Sequence, residues 1–304
     1  MKIQYNIFKL REWIPVEKLE WVNLSYNPNA IHLLEQNQDK IDWRQLSANP
    51  NAIHLLEQNQ DKIDWVNLAG NKNAIHLLEQ DESQMIYIDT YYMHWYHLSS
   101  NPNAVHILEE HPERINWCYL SSNPNAIHLL EQRPERINWY NLSCNPNAIH
   151  LLGQHPERII WYNLSSNPNA VHLLEQNLDK IEWESLSSNP NAVHLLEQNQ
   201  DKIDWKSLSY NPNAVHLLEQ NQDKIDWTYL SYNPNALHLL EQNQDKINWN
   251  WLSRNPSLFT YDYKELKRRL KETIAEDLMK NRFHPKNMDK WFGWGQEDEM
   301  EFAD

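Results

Sequence analysis

The sequence predicts an all-α protein, an α-solenoid of 22-residue two-helix repeats with a C-terminal helical cap. Three observations lead there. Tryptophan returns at 21, 43, 65, 95, 117, 139, 161, 183, 205, 227 and 249, at intervals of 22 residues except for the 30 between Trp65 and Trp95. A fixed period of that length marks an array of stacked units. Between the tryptophans one sentence recurs, seen in LSSNPNAVHLLEQNQDKIDW (186–205), with room for two short helices. Both ends depart from it, as the capping of a stack requires. EWIPVEKLEW (12–21) is a half-unit, and WNWLSRNPS (249–257) is the last recognisable one. The chain therefore reads as an N-terminal cap and half-repeat (1–20), a repeat array (21–257) with an insertion at 81–94, a helical cap (258–295) and an acidic tail (296–304).

Within a unit, Asn189 precedes a proline, which disfavours the α region. Asn is a preferred N-cap and Pro190 then falls at the first helical position. The spacing predicts a helix of about ten residues through NAVHLLEQ, ending near Asn199. Ala192, Val193, Leu195 and Leu196 share one side of it, and Asn191, His194, Glu197 and Gln198 the other. In DKIDWKSL, Ile203 and Trp205 are two apart and cannot share a helical face, whereas Trp205 and Leu208 can. This predicts a turn through Ile203 and a short helix capped by Asp204 and ended before Asn211. Asp42, Asp64, Asn116, Asn138, Asp226 and Asn248 fill the same cap position, and HPERINW and RPERINW place a proline where the turn starts. A leucine-rich repeat has a similar period. It needs an L-x-L strand before its Asn, and the apolar spacing there is three.

Composition narrows function. The 304 residues carry a net charge of −15, which argues against binding nucleic-acid phosphates. A mean hydropathy of −0.82 and the lack of a long apolar run exclude a membrane-spanning helix. Cys118 and Cys144 hold different repeat positions, and two cysteines in a chain this long indicate a reducing compartment. MKIQYNIFKLREW puts charges and aromatics where a signal peptide needs an apolar stretch. A cytoplasmic protein is expected.

Most repeated residues read as structural. Tryptophan recurs at core spacing with leucine and is expected to pack between units. The histidines (His32, His54, His76, His106, His128, His150, His172, His194, His216 and His238) form a ladder whose step of roughly 8–10 Å is too long for neighbours to share a metal. They are expected to bond a neighbouring unit or the Glu three residues on, and neither a metal nor a cofactor is expected. The second Asn of NPN (Asn29, Asn51, Asn191) is expected to cap its helix or form an amide ladder between units.

The variable letters are more informative. Counting from each Trp, positions +1, +2 and +5 vary while +3 is always Leu. There stand Tyr26, Arg44, Gln45, Tyr96, His97, Tyr119, Tyr140, Tyr162, Lys206, Tyr210, Tyr229, Tyr232 and Trp251, on one helical arc opposite Trp and Leu. Tyrosine offers rigid amphipathic contact area at low entropic cost, which suits a binding face. The insertion at 81–94 adds Tyr87, Tyr91 and Tyr92, either as an interaction loop or as packing over the place of the proline missing from LAGNKN. Beyond the array, YDYKELKRRLKETIAEDLMKNRF spaces Leu266, Leu270, Ile274 and Leu278 as a long amphipathic helix.

The combination WxxLSxNPNAIHLLEQNxDKIxW, followed by NPSLFTYDYKELKRR and FHPKNMDKW, resembles a family of short tandem-repeat proteins of giant nucleocytoplasmic DNA viruses. The resemblance runs from 12 to Trp291. It brings no catalytic residues and implies a viral repeat protein acting in host interaction or the virion. The expected function is a non-enzymatic scaffold that binds a protein or peptide through the tyrosine face. The rival is a structural protein that self-associates through its ends or the 81–94 loop. Polar residues that recur identically in every unit supply no single asymmetric catalytic constellation. Ten or eleven units at one interhelical spacing each give a path of roughly 100 Å.

Overall fold

The computed structural model describes residues 8–80 and 93–277. Among these are 22 α-helices, and from Trp21 to Arg254 they follow one another in regular pairs, joined by single 3-10 turns except between Ile75–Glu79 and Met93–Ser100. The chain divides into two compact units, Leu10–Phe259 and a smaller one of Met1–Lys9 with Thr260–Asp304.

One repeat shows how the sequence builds the larger unit. A tryptophan-led helix, Trp183–Ser187, is followed by the Asn-Pro-Asn turn, the histidine-bearing helix Val193–Gln198 and a 3-10 turn, Gln200–Lys202. Asp204 then caps the next helix, Trp205–Tyr210, accepting from the Ser207 N–H at 2.8 Å. Asp42, Asp64, Asn116, Asn138, Asp226 and Asn248 do likewise. Pro112, Pro134 and Pro156 open their 3-10 turns, where the absent N–H has no partner to lose.

The Asn-Pro-Asn segment departs from expectation. The histidine helix is six residues long, begins after Ala192, and Asn189 does not cap it. The Asn189 amide is engaged elsewhere. It donates to the Ser165 and Asn167 carbonyls of the preceding unit at 3.0 and 2.9 Å, and its oxygen accepts from the Asn191 N–H. Asn191 in turn donates to the Pro168 carbonyl, the ladder anticipated for the second Asn. Ser187 adds a further stitch, donating to the Trp183 carbonyl and accepting from the Asp204 N–H of the next unit. Asn189 and Ser187 are fully buried. These side chains satisfy backbone groups that burial would otherwise leave unpaired.

The core is leucine and alanine rather than tryptophan. Leu186, Ala192 and Leu196 are fully buried, while Trp183 is half-buried. Its ring is covered by the Lys202 ammonium, 4.5 Å from the centroid. Trp21, Trp43, Trp161, Trp205, Trp227 and Trp249 carry the same lysine lid at 4.4–4.9 Å. Each tryptophan thus seals the junction between units from its edge.

The array has no free ends. The asparagine, serine and lysine stitches between neighbouring units also join the first tryptophan helix, Trp21–Tyr26, to the last, Trp249–Arg254. Asn27 donates to the Ser253 and Asn255 carbonyls at 3.0 Å, and Asn29 donates to that of Pro256 at 2.9 Å. Glu20 N–H donates to Ser253 Oγ, and Lys18 covers Trp249. Strand β1 (Phe8–Leu10) pairs with β2 (Phe259–Tyr261), and Arg11 N–H donates to the Leu258 carbonyl. Residues 12–20 therefore do not cap an open stack. With 249–257 they make up an eleventh unit from the two ends of the array. The path of roughly 100 Å is bent into a circle, at about 33° per unit.

The tryptophan helices form its inner wall. Successive ones pack backbone against backbone around the circle. Successive histidine helices are bridged by long side chains, as between His54 Nε2 and Glu35 Oε1. At equal angular steps the more closely spaced layer lies at the smaller radius. Eleven helix axes 8–10 Å apart enclose a circle about 28–35 Å across.

The outer wall carries a belt of histidine–glutamate pairs. His54, His76, His106, His128, His150, His194, His216 and His238 each meet the glutamate of the preceding unit at 2.5–3.3 Å. Where Gly153 replaces that glutamate, His172 turns to Gln176 instead. The long interval between Trp65 and Trp95 does not break the ring. Asn101 donates to Ala69, Asn103 to Lys72, and His106 meets Glu79 across it. Residues 81–92 lie outside the described residues.

In the smaller unit the expected helix forms over Tyr263–Asp277. Asp262 accepts from the Lys264 and Glu265 N–H groups at its start. The remainder of the segment expected at 258–295, and the tail, lie outside the described residues. Among those described, no helix is long and apolar enough to cross a membrane.

Candidate binding surface

On each inner helix, positions +3 and +4 face the core and the variable positions +1, +2 and +5 lie on the opposite arc, with +2 buried between neighbouring helices where it is Asn23, Asn163 or Ser185. Leu142 and Ser143 are fully buried, whereas Tyr140 is 59% exposed and Tyr162 50%. Tyr26, Tyr119 and Tyr210 are exposed too, and Tyr96, Tyr229 and Tyr232 are half-buried against neighbouring rings. Eight tyrosines of the anticipated face thus line the inner wall. Tyr87, Tyr91 and Tyr92 lie outside the described residues.

The ring groups them into two arcs. Tyr96, Tyr119, Tyr140 and Tyr162 come from four consecutive units, and Tyr96 stacks on Tyr119 at 5.3 Å between centroids. The second arc crosses the junction of the termini. Tyr210 stacks on Tyr232 at 5.3 Å, and Trp251 meets Tyr229 and Tyr232 at 6.0 Å. Arg254 then lies over Tyr26, 5.4 Å from its centroid, and donates to Asn23 Oδ1. The arc centres are five units apart among eleven, so they face each other across the lumen. Between them lie polar sectors, Arg44, Gln45 and Asn67 on one side, and Glu184, Ser185 and Ser188 on the other.

Local chemistry holds the rings in place. Asn163 donates to the Tyr140 carbonyl at 2.7 Å, fixing one inner helix to the next. Lys206 lies over Tyr229 at 5.2 Å. Burial pushes the Tyr210 phenol above its ordinary pKa, and the neighbouring Tyr232 adds to the shift, so Tyr210 is a neutral hydroxyl at physiological pH. The wall presents aromatic faces, phenol hydroxyls and amides, groups suited to stacking and hydrogen bonding.

Some inner-wall residues escaped the sequence reading. Val22, Cys118, Cys144, Glu184 and Arg254 occupy the same variable positions, so register would have found them. The approach of Arg254 to Tyr26 was not legible, because it depends on ring closure. Both cysteines are free and exposed. Among the described residues, no three of His, Cys, Asp and Glu gather closely enough to hold a metal. Comparison with family models, curated proteins and solved structures finds no match to this chain.

Proposed function

We propose that the protein is a non-enzymatic ring scaffold that binds a protein or peptide partner through the tyrosine arcs of its inner wall. The observation that carries this reading is the exposure of large aromatic rings on a concave surface, with Tyr140 at 59% and Tyr162 at 50%. Covering such rings releases water from apolar area, and aromatic anchors in concave sites dominate the energetics of recognition. The resemblance to giant-virus repeat proteins supports looking for that partner in the host cytoplasm or the virion.

The test compares the protein with the triple variant Tyr140→Ala, Tyr162→Ala and Tyr229→Ala, using capture from infected-cell cytoplasm and mass spectrometry. The variant should keep its far-UV circular dichroism and lose the captured partner. Unchanged capture would remove the tyrosine face from the account. End-to-end self-association, the rival reading, is disfavoured because the ends of the array are bonded to each other. A monomer mass independent of concentration in light scattering is expected.

A further inference from the structure

Within the smaller unit, the helix Tyr263–Asp277 sorts its side chains into three sectors. At 3.6 residues per turn, Glu265, Arg268, Arg269 and Glu272 share one side, and their charges are matched there. Arg268 donates to Glu265 at 2.6 and 2.8 Å and to Glu272 at 2.7 and 2.8 Å. Arg269 donates to Glu265 at 2.7 Å. Lys264, Lys267 and Lys271 make a second stripe, spaced i, i+3 and i+7. All three are exposed and form no ion pair among the described residues. Beside them, at the same spacing, runs an apolar stripe of Tyr263, Leu266 and Leu270. Tyr263 is 70% exposed, Leu270 48%, and Leu266 is half-buried.

An open apolar stripe flanked by unmatched lysines fits a short segment with acidic groups on one side and apolar groups on the other. The sequence holds such a segment close by. QEDEMEFAD (296–304), outside the described residues, carries Glu297, Asp298, Glu299, Glu301 and Asp304 and no cation. Its two large apolar residues, Met300 and Phe302, are two apart. In an extended segment, residues two apart point the same way and their neighbours point oppositely. Laid along the seam between the stripes, Met300 and Phe302 meet the apolar one while Glu299 and Glu301 meet the lysines. The steps agree. Two extended residues advance about 6.6 Å, and four helical residues, as from Leu266 to Leu270 or Lys267 to Lys271, advance about 6 Å.

The chain is long enough for this return. The 15-residue helix is about 22 Å long. Residues 278–295 reach about 27 Å at the helical rise and about 60 Å fully extended. Tethering also keeps the segment at an effective concentration in the millimolar range, ahead of any free competitor. An anionic membrane could use the same lysines, but five carboxylates tethered to the same unit would oppose its approach.

We propose that the lysine and leucine face of the helix Tyr263–Asp277 is a docking site for short acidic segments with apolar anchors, and that residues 296–304 of the same chain occupy it. An external segment of that chemistry must displace the tethered one to bind.

The test uses the full chain and a water-soluble carbodiimide, which joins a lysine amine to a carboxylate in contact with it. Mass spectrometry should find Lys264, Lys267 or Lys271 joined to Glu299 or Glu301 within the monomer, at a yield independent of protein concentration. The variant Met300→Ser, Phe302→Ser keeps every charge and the tether. It should keep its far-UV circular dichroism and lose at least about fivefold in yield. An unchanged yield would show proximity without docking and overturn the proposal, as would the absence of these crosslinks in the parent. In a mixture with nitrogen-15-labelled chain, crosslinks chiefly between labelled and unlabelled copies would place the segment on a second copy and overturn occupancy in the same chain. Retention of the full chain on phosphatidylserine vesicles, lost in Lys264→Glu, Lys267→Glu, Lys271→Glu, would assign the face to a membrane and overturn the proposal.

Discussion

The buried asparagine of each Asn-Pro-Asn turn gives a quantitative test of ring closure. Asn145, in the middle of the array, donates to the Ser121 and Asn123 carbonyls at 3.0 Å and accepts from the Asn147 N–H. Asn145→Ala takes this donor from the Ser121 carbonyl in a site closed to water, and one of two donors from the Asn123 carbonyl, which keeps the Ala126 N–H. An unpaired buried carbonyl costs about 1–3 kcal/mol and a lost hydrogen bond about 1 kcal/mol, so a destabilisation of about 2–4 kcal/mol is expected. Asn27 makes the same bonds to Ser253 and Asn255. In an open array it would sit in the first unit with nothing before it, and Asn27→Ala would cost little. In the ring it should cost as much as Asn145→Ala. Asn101 supplies a calibration, since its amide makes one such bond, to the Ala69 carbonyl. Asn101→Ala should cost about 1 kcal/mol less, because the bond it lacks is the one to a carbonyl that has a second donor, Asn71 with the Ala74 N–H. Urea unfolding followed by tryptophan fluorescence and far-UV circular dichroism ranks the three. An Asn27→Ala protein within about 0.5 kcal/mol of the parent, beside a strongly weakened Asn145→Ala, would refute the reasoning.

Other outcomes follow from local gaps in the repeat. Gly153→Glu should restore the missing pair of the outer belt and draw His172 away from Gln176. An added side chain meets nothing within 4 Å. Replacing a helical glycine and adding an exposed pair should stabilise by about 1 kcal/mol in thermal melts, with the His172 ring resonances moving in NMR spectra. The helix Trp161–Ser165 starts after Ile160 without a side-chain cap, so Ile160→Asp should stabilise by about 1 kcal/mol in urea. In the helix Tyr263–Asp277, hydrogen bonds from Arg268 and then Arg269 hold the Glu265 carboxyl at about 2. A depressed carboxylate stabilises above its unfolded pKa of 4.5, and that support is lost as pH falls toward 2. A carboxyl carbon-13 titration of Glu265 should show its midpoint well below that of an ordinary glutamate.

The repeat made much of the fold legible because its signals are local. The tryptophan period, the Asp or Asn caps and the 3-10 prolines are properties of a few adjacent residues, and they appear where they were expected. The Asn-Pro-Asn turn misled because Asn is both a good N-cap and a good bridge. Only the proximity of the preceding unit decides that Asn189 bridges. Tryptophan misled by size, since its position leaves it at the edge of the junction under a lysine while Leu186 takes the centre. Ring closure was least legible of all. It depends on the curvature accumulated over eleven units and on contacts such as Asn23 with Asn250, which nothing local encodes. The half-unit at 12–20 was the available clue, because it lacks what 249–257 supplies. The tyrosine face was legible as an arc of a helical wheel. Its division into two opposed walls emerged only with the circle.

The most direct measurement of the central claim is the distance across the junction of the termini. Val22 and Asn250 occupy position +1 of the first and last inner helices, as Tyr162 and Glu184 do in two adjacent ones. With Cys118 and Cys144 replaced by serine, paired spin labels at Val22→Cys and Asn250→Cys should give the same dipolar distance as labels at Tyr162→Cys and Glu184→Cys. That distance reflects one interhelical step of about 8–10 Å plus the label arms. A junction distance several times that of the internal pair would mean that the array is open and that its tyrosine arcs do not face each other.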